Sequence, residues 1–296
     1  MTTLRALECL VALVDEGSVT RAAASLQMSQ PALSHQLASL EREIGTPMVQ
    51  KLGRGVRVTA AGNAVADEAR TALNAADRAV RLGRRVGAGA SGKLRVACAE
   101  TMTAWLLVPV LRQWRARRRE VVIELSEHTS ADRMVDLVTA GSVDLAVGPR
   151  PSTTDEHIEV LGEEEVVVVA PAGHAFAQRP AVPFGELASE PFVHYVTDNG
   201  LSAWVDHLAA QRGVVLDPMV RTRSPRTAAQ LAAAGMGVTI VPVSALLLRP
   251  PGVVRALEPP VSRDVVVVVA SPSDALAGAF VADLRKRGLP SDRHRH

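Results

Sequence analysis

The chain has 296 residues and is 47% apolar and 22% charged, values that are typical of globular proteins and exclude a disordered chain. Its two cysteines, Cys9 and Cys98, are too few for a disulfide framework, and its longest apolar runs are too short for a membrane helix. The first residues lack the basic segment of a secretory signal peptide, so we expect a cytoplasmic protein of about two domains.

The net charge of +2 is unevenly distributed along the chain. Residues 1–93 contain 12 Lys/Arg and 8 Asp/Glu, a formal +4, whereas the remainder contains 21 and 23, a formal −2. A basic first third favours a polyanionic partner. Because only 3% of the residues are aromatic, base-stacking modes of single-strand and RNA recognition are disfavoured, and double-stranded DNA is the better candidate.

Three short helices are predicted at the N-terminus. Apolar residues recur at helical spacing from Leu4, and Gly17 is expected to end that helix. Ser18 is a candidate cap for a second helix over Val19–Leu26, and Ser29 for a third helix of about 14 residues with a leucine stripe. Two helices joined by so short a turn are typical of a helix-turn-helix motif.

The third helix carries a polar face opposite its leucine stripe. Amide, hydroxyl and imidazole groups on this face suit hydrogen bonds to base edges in a major groove. An ordinary solvated face is the alternative, but such faces are usually rich in Lys and Glu, and this one has neither before Glu41. We therefore predict direct DNA contact by this face. Its residues are Gln30, Ser34, His35, Gln36 and Ser39.

The segment Val49–Thr59 is predicted to form two short strands around a turn at Gly53–Gly55. Lys51, Arg54 and Arg57 have no acidic neighbour there, and they suit contacts with phosphates beside the groove. A basic hairpin can also be a mere surface edge. Directly after a helix-turn-helix motif, it is better interpreted as a wing.

Residues 59–86 are predicted to form one long Ala-rich helix, followed by a flexible linker at Gly87–Gly92. The apolar residues of this helix step by three and four, which is the spacing of a heptad seam. Because so thin a seam supports an isolated helix poorly, we expect it to pack against a second copy of the chain. Packing within one chain is the alternative. The seam consists of Ala66, Ala69, Leu73, Ala76 and Val80.

Strand and helix candidates alternate after Lys93, beginning with a strand at Leu94–Ala99. This rhythm predicts a parallel sheet covered by helices. A second set of strands follows near Val166–Ala170, Phe192–Tyr195 and Val238–Val241. Two α/β lobes with crossing connections would place a ligand in the cleft between them.

The run SVTRAAASLQMSQPALSHQLASLEREIGTPMVQKLGRGVRVTAAG resembles the N-terminal winged helix-turn-helix of LysR-type transcriptional regulators. The match is nearly continuous from Leu4 to about Gly62. GKLRV at Gly92–Val96 and AAGMGVTIVP at Ala233–Pro242 resemble the effector domains of the same family, which share the periplasmic-binding-protein architecture. The resemblance implies a dimeric repressor or activator with a long linker helix.

The expected architecture therefore has three parts. Residues 1–59 are expected to form an all-α winged helix-turn-helix DNA-binding domain, and residues 60–88 a linker helix that mediates dimerisation. Residues 92–296 are expected to form an α/β two-lobed, periplasmic-binding-protein-like effector domain. Lobe 1 would comprise about 92–161 and 265–296, and lobe 2 about 162–264.

The resemblance also implies site residues. It adds Ser29 and Pro31 to the predicted DNA contacts and supports Arg54. In the effector domain it implies a ligand held at strand-to-helix turns, where hydroxyls and helix N-termini suit a small anion such as a carboxylate. Each of these residues can also be an ordinary helix cap. The effector residues implied are Thr101, Met102, Thr103, Ser130 and Thr197.

Two positions of the wing depart from the pattern of the family. Val49 stands where the family usually has Phe, and Gln50–Lys51 stands where Glu–Arg is common. Since the aromatic ring packs the wing on the helices, we expect a less firmly seated wing. Lys51 supplies a positive charge but no bidentate fork.

The leading interpretation is a sequence-specific DNA-binding regulator under small-molecule control. The chain lacks common dinucleotide, phosphate-loop, hydrolase and zinc motifs, so we expect no enzyme, cofactor or metal. The alternative is a cytoplasmic solute-binding module without a regulatory role, against which the attached helix-turn-helix counts. Thiol sensing is disfavoured because both cysteines lie in apolar segments. The expected partners are double-stranded operator DNA, a small-molecule effector, further copies in a homodimer or homotetramer and, as a further candidate, RNA polymerase.

Overall fold

The structure, a computed structural model, describes residues 3–51, 56–88, 92–246 and 252–290. The chain divides into two compact units. One consists of Met1–Gly89 with Thr139–Ser142, and the other of Ala90–Val138 with Val143–His296. Within the described ranges, no helix has the length and apolar character needed to cross a membrane.

The N-terminal unit begins with the three predicted helices, α1 (Leu4–Glu16), α2 (Val19–Ser25) and α3 (Gln30–Ile44). Gly17 ends α1 in the left-handed conformation, with φ 61°, which an L side chain would disfavour. The Ser29 Oγ accepts a hydrogen bond from the Ala32 amide and so caps α3, as predicted. The helix-turn-helix is therefore confirmed.

The core of this unit lies between the three helices. The leucine stripe of α3 is buried there together with the apolar face of α1. Met48, which follows α3, is 1% exposed and belongs to the same core. The buried leucines are Leu10, Leu13, Leu33, Leu37 and Leu40.

The wing consists of two antiparallel strands, β1 (Val49–Lys51) and β2 (Val56–Val58), in which Gln50 lies opposite Arg57. The predicted turn and Arg54 lie outside the described residues. Helix α4 (Ala60–Ala88) follows directly and corresponds to the predicted long helix.

The apolar seam of α4 needs a correction at its N-terminal end. Ala66 and Ala69 are 0% and 1% exposed in the single chain, and Ala66 belongs to the core of α1–α3. These two residues are therefore buried by intrachain packing and are not available to a second copy. Leu73 and Ala76 are half-buried, and Val80 is 54% exposed.

The second unit is an α/β domain with two lobes. Most of lobe 1 precedes the first crossing between the lobes. Its elements are β3 (Gly92–Ala99), α5 (Glu100–Met102), a π-helical segment (Thr103–Leu107), α6 (Val108–Arg117), β4 (Val121–His128), α7 (Ala131–Thr139) and β5 (Leu145–Pro149).

A long strand, β6 (His157–Ala170), crosses to lobe 2, and β11 (Val253–Val269) returns to lobe 1, where α10 (Ala275–Arg287) closes the fold. Short 3₁₀ helices at Ala175–Gln178, Phe184–Ser189 and Val243–Ala245 complete lobe 2. Its remaining elements are β7 (Ala181–Pro183), β8 (Pro191–Tyr195), α8 (Gly200–Ala210), β9 (Asp217–Thr222), α9 (Pro225–Ala233) and β10 (Thr239–Pro242).

The main sheet is mixed, which corrects the predicted parallel sheet. Its path runs β10–β6–β11–β5–β3–β4, with β7 beside β11, and a separate pair joins β8 to β9. Strand β3 is parallel to β4 and β5, but β11 is antiparallel to both β5 and β6. The antiparallel pairs arise because β6 and β11 carry the chain between the lobes in opposite directions.

Each lobe has its own apolar core. The core of lobe 1 includes Trp114 and Phe280, whose rings meet edge to face at a centroid distance of 5.0 Å. The core of lobe 2 is built around the valines of β6 and the rings of Phe192 and Tyr195. Trp105 is partly buried and packs against both cores. The predicted two-lobed architecture is confirmed.

Candidate functional site

Helix α3 presents a continuous polar surface at its N-terminal end. Its first turn has no acidic residue, so the positive end of the helix dipole is not offset there. Such an end favours contact with anionic groups. Among the predicted contacts, Gln36 is half-buried, and the exposed residues are Ser29, Gln30, Pro31, Ser34 and His35.

Gln30 is held in place by α2. Its Nε2 donates a hydrogen bond of 2.8 Å to the Thr20 Oγ1. This bond orients the side-chain amide and leaves its carbonyl oxygen available as an acceptor. A side-chain amide fixed at the start of an exposed helix suits the bidentate recognition of a base edge.

The base of the wing is fixed by Glu41, a residue that the sequence did not single out. Its Oε1 accepts hydrogen bonds from the amides of Met48 and Val49, at 2.8 and 3.0 Å. Gly62 packs so closely beneath Met48 that an added Cβ would lie 2.4 Å from the Met48 carbonyl oxygen. Arg57 is exposed, and its guanidinium donates to the Gln50 Oε1 at 2.7 Å.

The second unit contains a cleft of about 580 Å³ between its two lobes. It lies at the carboxyl ends of β3, β4 and β5, which are adjacent parallel strands, and α8 and α9 of lobe 2 face it. This is the expected position for a ligand in a sheet of parallel strands. The cleft is within the size range of small-molecule sites.

The structure brings only some of the predicted effector residues to this cleft. Thr101 and Ser130 line it. Met102 is buried in the core of lobe 1, and Thr103 and the exposed Thr197 are not among the lining residues. The functional roles of all five remain predictions.

The N-terminus of α7 opens into the cleft. The Ser130 Oγ accepts a bond from the Arg133 amide at 3.3 Å, whereas the amides of Ala131 and Asp132 have no acceptor within the described part of the chain. Free amides at the positive end of a helix suit a carboxylate.

Both arginines of the cleft are engaged by carboxylates. The Arg150 Nε lies 2.7 Å from Asp264, and Arg263 lies 3.0 Å from the buried Glu164. Burial and the nearby Arg133 lower the pKa of His128, which therefore lines the cleft as a neutral imidazole at pH 7.

A buried network connects the cleft to the crossing strands. The other oxygen of Glu164 accepts from the Ser244 amide at 2.8 Å, and the Ser244 Oγ donates to the Thr101 Oγ1 at 2.9 Å. Thr101 lies in lobe 1 and Ser244 in lobe 2. Glu164 was not predicted from the sequence, where its only sign is an acidic run next to the valines of β6.

A second link between the lobes lies at the cleft. The Gly200 amide of α8 donates to the Thr129 carbonyl at 3.0 Å. A Cβ added to Gly200 would lie 3.3 Å from that same oxygen, so a side chain here would crowd the Thr129 carbonyl group. The two hydrogen-bonded links together join the lobes at the cleft.

Neither cysteine is among the residues that line the cleft, and both lie in apolar cores. Burial raises the pKa of the Cys98 thiol to about 12, and the nearby Thr103 hydroxyl offsets only part of the rise. Burial also raises the pKa of Cys9. Thiols with raised pKa values are poor nucleophiles at neutral pH.

Comparison with known families gives two matches that together cover most of the chain. Residues 4–63 match the model of the bacterial regulatory helix-turn-helix protein, lysR family. Residues 87–288 match the LysR substrate binding domain.

Known relatives extend the similarity over both units. The small neutral protease regulatory protein of Streptomyces coelicolor is 33% identical over 263 residues, which cover 86% of this chain and 77% of that protein. The HTH-type transcriptional regulator AlsR of Bacillus subtilis is 28% identical over 245 residues, or 82% and 81% of the two chains. A full-length OxyR variant from Pseudomonas aeruginosa has the same fold, with a TM-score of 0.71 at 20% identity over 96% of this chain and 98% of that one.

Proposed function

The chain belongs to the LysR family of DNA-binding transcriptional regulators, and we propose that a small carboxylate-bearing effector in its interlobe cleft controls its action at an operator. The observation that carries this proposal is the free N-terminus of α7, which opens into a cleft of about 580 Å³. The free amides at this helix N-terminus favour a carboxylate group of the ligand, and the Asp132 carboxylate in the first turn of α7 offsets part of that attraction.

The DNA contacts of the proposal lie on α3 and the wing. The exposed, uncharged polar groups of α3 would read base edges, and the cations of the wing would bind phosphates. The oriented amide of Gln30 is the strongest support for base recognition. The residues proposed are Ser29, Gln30, Pro31, Ser34, His35, Gln36, Lys51, Arg54 and Arg57.

The regulator would act as a homodimer or homotetramer in the cytoplasm, with RNA polymerase as a candidate partner at the promoter. The exposed Val80 and the half-buried Leu73 and Ala76 on α4 support self-association through the C-terminal part of the seam. Two copies would present two recognition helices to a palindromic site.

The role of the cleft is tested by filling it. Ala203 and Ala210 are both exposed on α8, but only Ala203 lines the cleft. We expect Ala203→Trp to retain operator affinity and lose the response to small carboxylates, whereas Ala210→Trp retains both. The measurement is gel-shift titration of the full chain on a DNA site obtained by in-vitro selection, with and without each carboxylate.

A coupled effector typically changes DNA affinity by about 5- to 150-fold. An effector that changed the DNA affinity of Ala203→Trp as strongly as that of Ala210→Trp would remove the cleft from the mechanism.

A further inference from the structure

We propose that the effector is a zwitterion of the α-amino-acid class, with its ammonium group bound by Glu100 and its carboxylate bound at the N-terminus of α7. This inference rests on the proposed function, and it adds the chemical class of the ligand.

Glu100 is the residue that points to an ammonium group. It is half-buried, lines the cleft and has no cationic partner among the residues that the structure describes. A carboxylate in this position repels a simple anion and attracts a cation. A ligand with only a carboxylate would leave this group unpaired and would bring a like charge close to it.

The other charged groups of the cleft do not compensate for Glu100. Arg150 and Arg263 are engaged by Asp264 and Glu164, as described above. The Asp132 carboxylate accepts bonds from the amide and hydroxyl of Ser152, at 2.7 and 3.0 Å. The lining therefore has a slight excess of negative charge, which a ligand without net charge does not increase.

The register of the sheet places the two proposed subsites side by side. Ala99 at the end of β3 pairs with His128 at the end of β4. Glu100 follows the first and Thr129–Ser130 follows the second, on strands about 4.8 Å apart. In an α-amino acid a single carbon separates the ammonium and carboxylate groups, and this spacing fits two subsites on adjacent strands.

The remaining wall of the cleft suits an apolar side chain. Leu201 and Trp204 project from α8, Met134 from α7, and Pro225 begins α9. Trp204 is half-buried and supplies a large apolar surface. We therefore expect amino acids with aliphatic or aromatic side chains to bind better than small polar ones.

The ligand class is tested with pairs of molecules that differ only in the amine. Calorimetric titration of the full chain would compare the standard L-amino acids with the desamino carboxylic acids of the same skeleton, such as phenylalanine with 3-phenylpropanoate. We expect at least one apolar amino acid to bind, and its desamino partner to bind at least about 10-fold more weakly.

The ammonium subsite is tested by Glu100→Gln, with Glu127→Gln as the matched control. Glu127 is exposed on β4 and does not line the cleft. We expect Glu100→Gln to weaken amino-acid binding about 10-fold while leaving the affinity for desamino acids unchanged or improved. Glu127→Gln should change neither of these affinities, and it should retain operator affinity in the absence of ligand.

Three results would overturn the inference: equal affinity for an amino acid and its desamino partner, unchanged amino-acid affinity in Glu100→Gln, or no binding by any amino acid. If a desamino acid bound as tightly as its amino acid and still acted through the cleft, the inference about the ligand class would fail but the proposed function would stand. The proposed function itself fails only if Ala203→Trp responds to ligand as the control does.

Discussion

Gln30 begins α3 with an amide group that is already oriented in the absence of DNA. Its hydrogen bond with Thr20 uses one donor hydrogen, and the carbonyl oxygen and second hydrogen remain for a base. An oriented side chain loses less conformational entropy when it binds than a free one does. Sequence reasoning found the residue, but not its partner on α2.

We expect Gln30→Ala to relax sequence preference at one position of each half-site, by about 1–3 kcal/mol between the preferred base and the others. Thr20→Val removes the same hydrogen bond but keeps the amide, so it should retain most of the preference. Competition binding against operators substituted at each position measures both. A loss of affinity that is uniform across all operators would contradict base recognition by Gln30.

Cys98 illustrates how burial determines the chemistry of a side chain. With a pKa of about 12, the thiol is ionised to only about one part in 10⁴ at pH 8. We expect neither Cys98 nor the buried Cys9 to react with a disulfide reagent in the native protein, and both to react in guanidinium chloride. Fast modification of either thiol in the native protein would contradict the core assignment. The assay is spectrophotometric titration at pH 8.

At the scale of the element, the wing packs on the core without the aromatic residue that the family usually has at the position of Val49. Val49 is only partly buried against the core, and Met48 fills the core beside it. The Glu41 carboxylate then binds both of their amides. The sequence predicted the strands of the wing but not this support, because Glu41 lies on a different element and looks like any helix-surface residue.

We expect Glu41→Ala to lower the free energy of unfolding of the N-terminal unit by about 1–3 kcal/mol, because two amides lose their acceptor. Operator affinity should fall with it, since the wing loses its orientation. Glu68→Ala, on the exposed surface of α4, should change neither quantity. Circular dichroism melts and gel shifts provide the two measurements, and equal behaviour of the variants would count against the role of Glu41.

Helix α4 shows the limit of periodicity as a guide. Its apolar residues have the spacing of a heptad seam, but spacing cannot tell which partner covers the seam, and α1–α3 cover Ala66. We expect Val80→Asp to weaken self-association by about 10-fold or more, because it places a charge where an apolar contact is proposed. Ala75→Asp, an exposed position on the same helix, should have little effect. Sedimentation velocity over a dilution series distinguishes the two.

At the scale of the whole effector unit, the long strands were the hardest elements to predict. For β6 the sequence predicted only the apolar end at Val166–Ala170, since the polar residues at the crossing interrupt the pattern. Their pairing joins residues far apart in the chain, which no local pattern encodes. The same separation explains why Glu164 and Gly200 were not found from the sequence, whereas Thr101 and Ser130 were implied by the resemblance to the family.

The Thr101–Ser244 hydrogen bond links the lobes, and its energy can be measured by a double-mutant cycle. We expect Thr101→Val and Ser244→Ala each to destabilise the effector unit, and the double variant to be less destabilised than the sum by about 0.5–1.5 kcal/mol. Urea unfolding of the full chain, followed by tryptophan fluorescence, provides the four energies. Additive losses within about 0.3 kcal/mol would mean that the two hydroxyls do not interact in solution.

The choice of fluorescence depends on where the indole rings lie. The chain has three tryptophans, Trp105, Trp114 and Trp204, and all of them belong to the effector unit. Trp105 packs against both cores and Trp204 lines the cleft, so lobe movement and ligand entry would alter the emission of different rings. The effector unit therefore contains intrinsic fluorophores, whereas the N-terminal unit has no tryptophan. Any emission change on adding operator DNA would directly report a signal passing from one unit to the other.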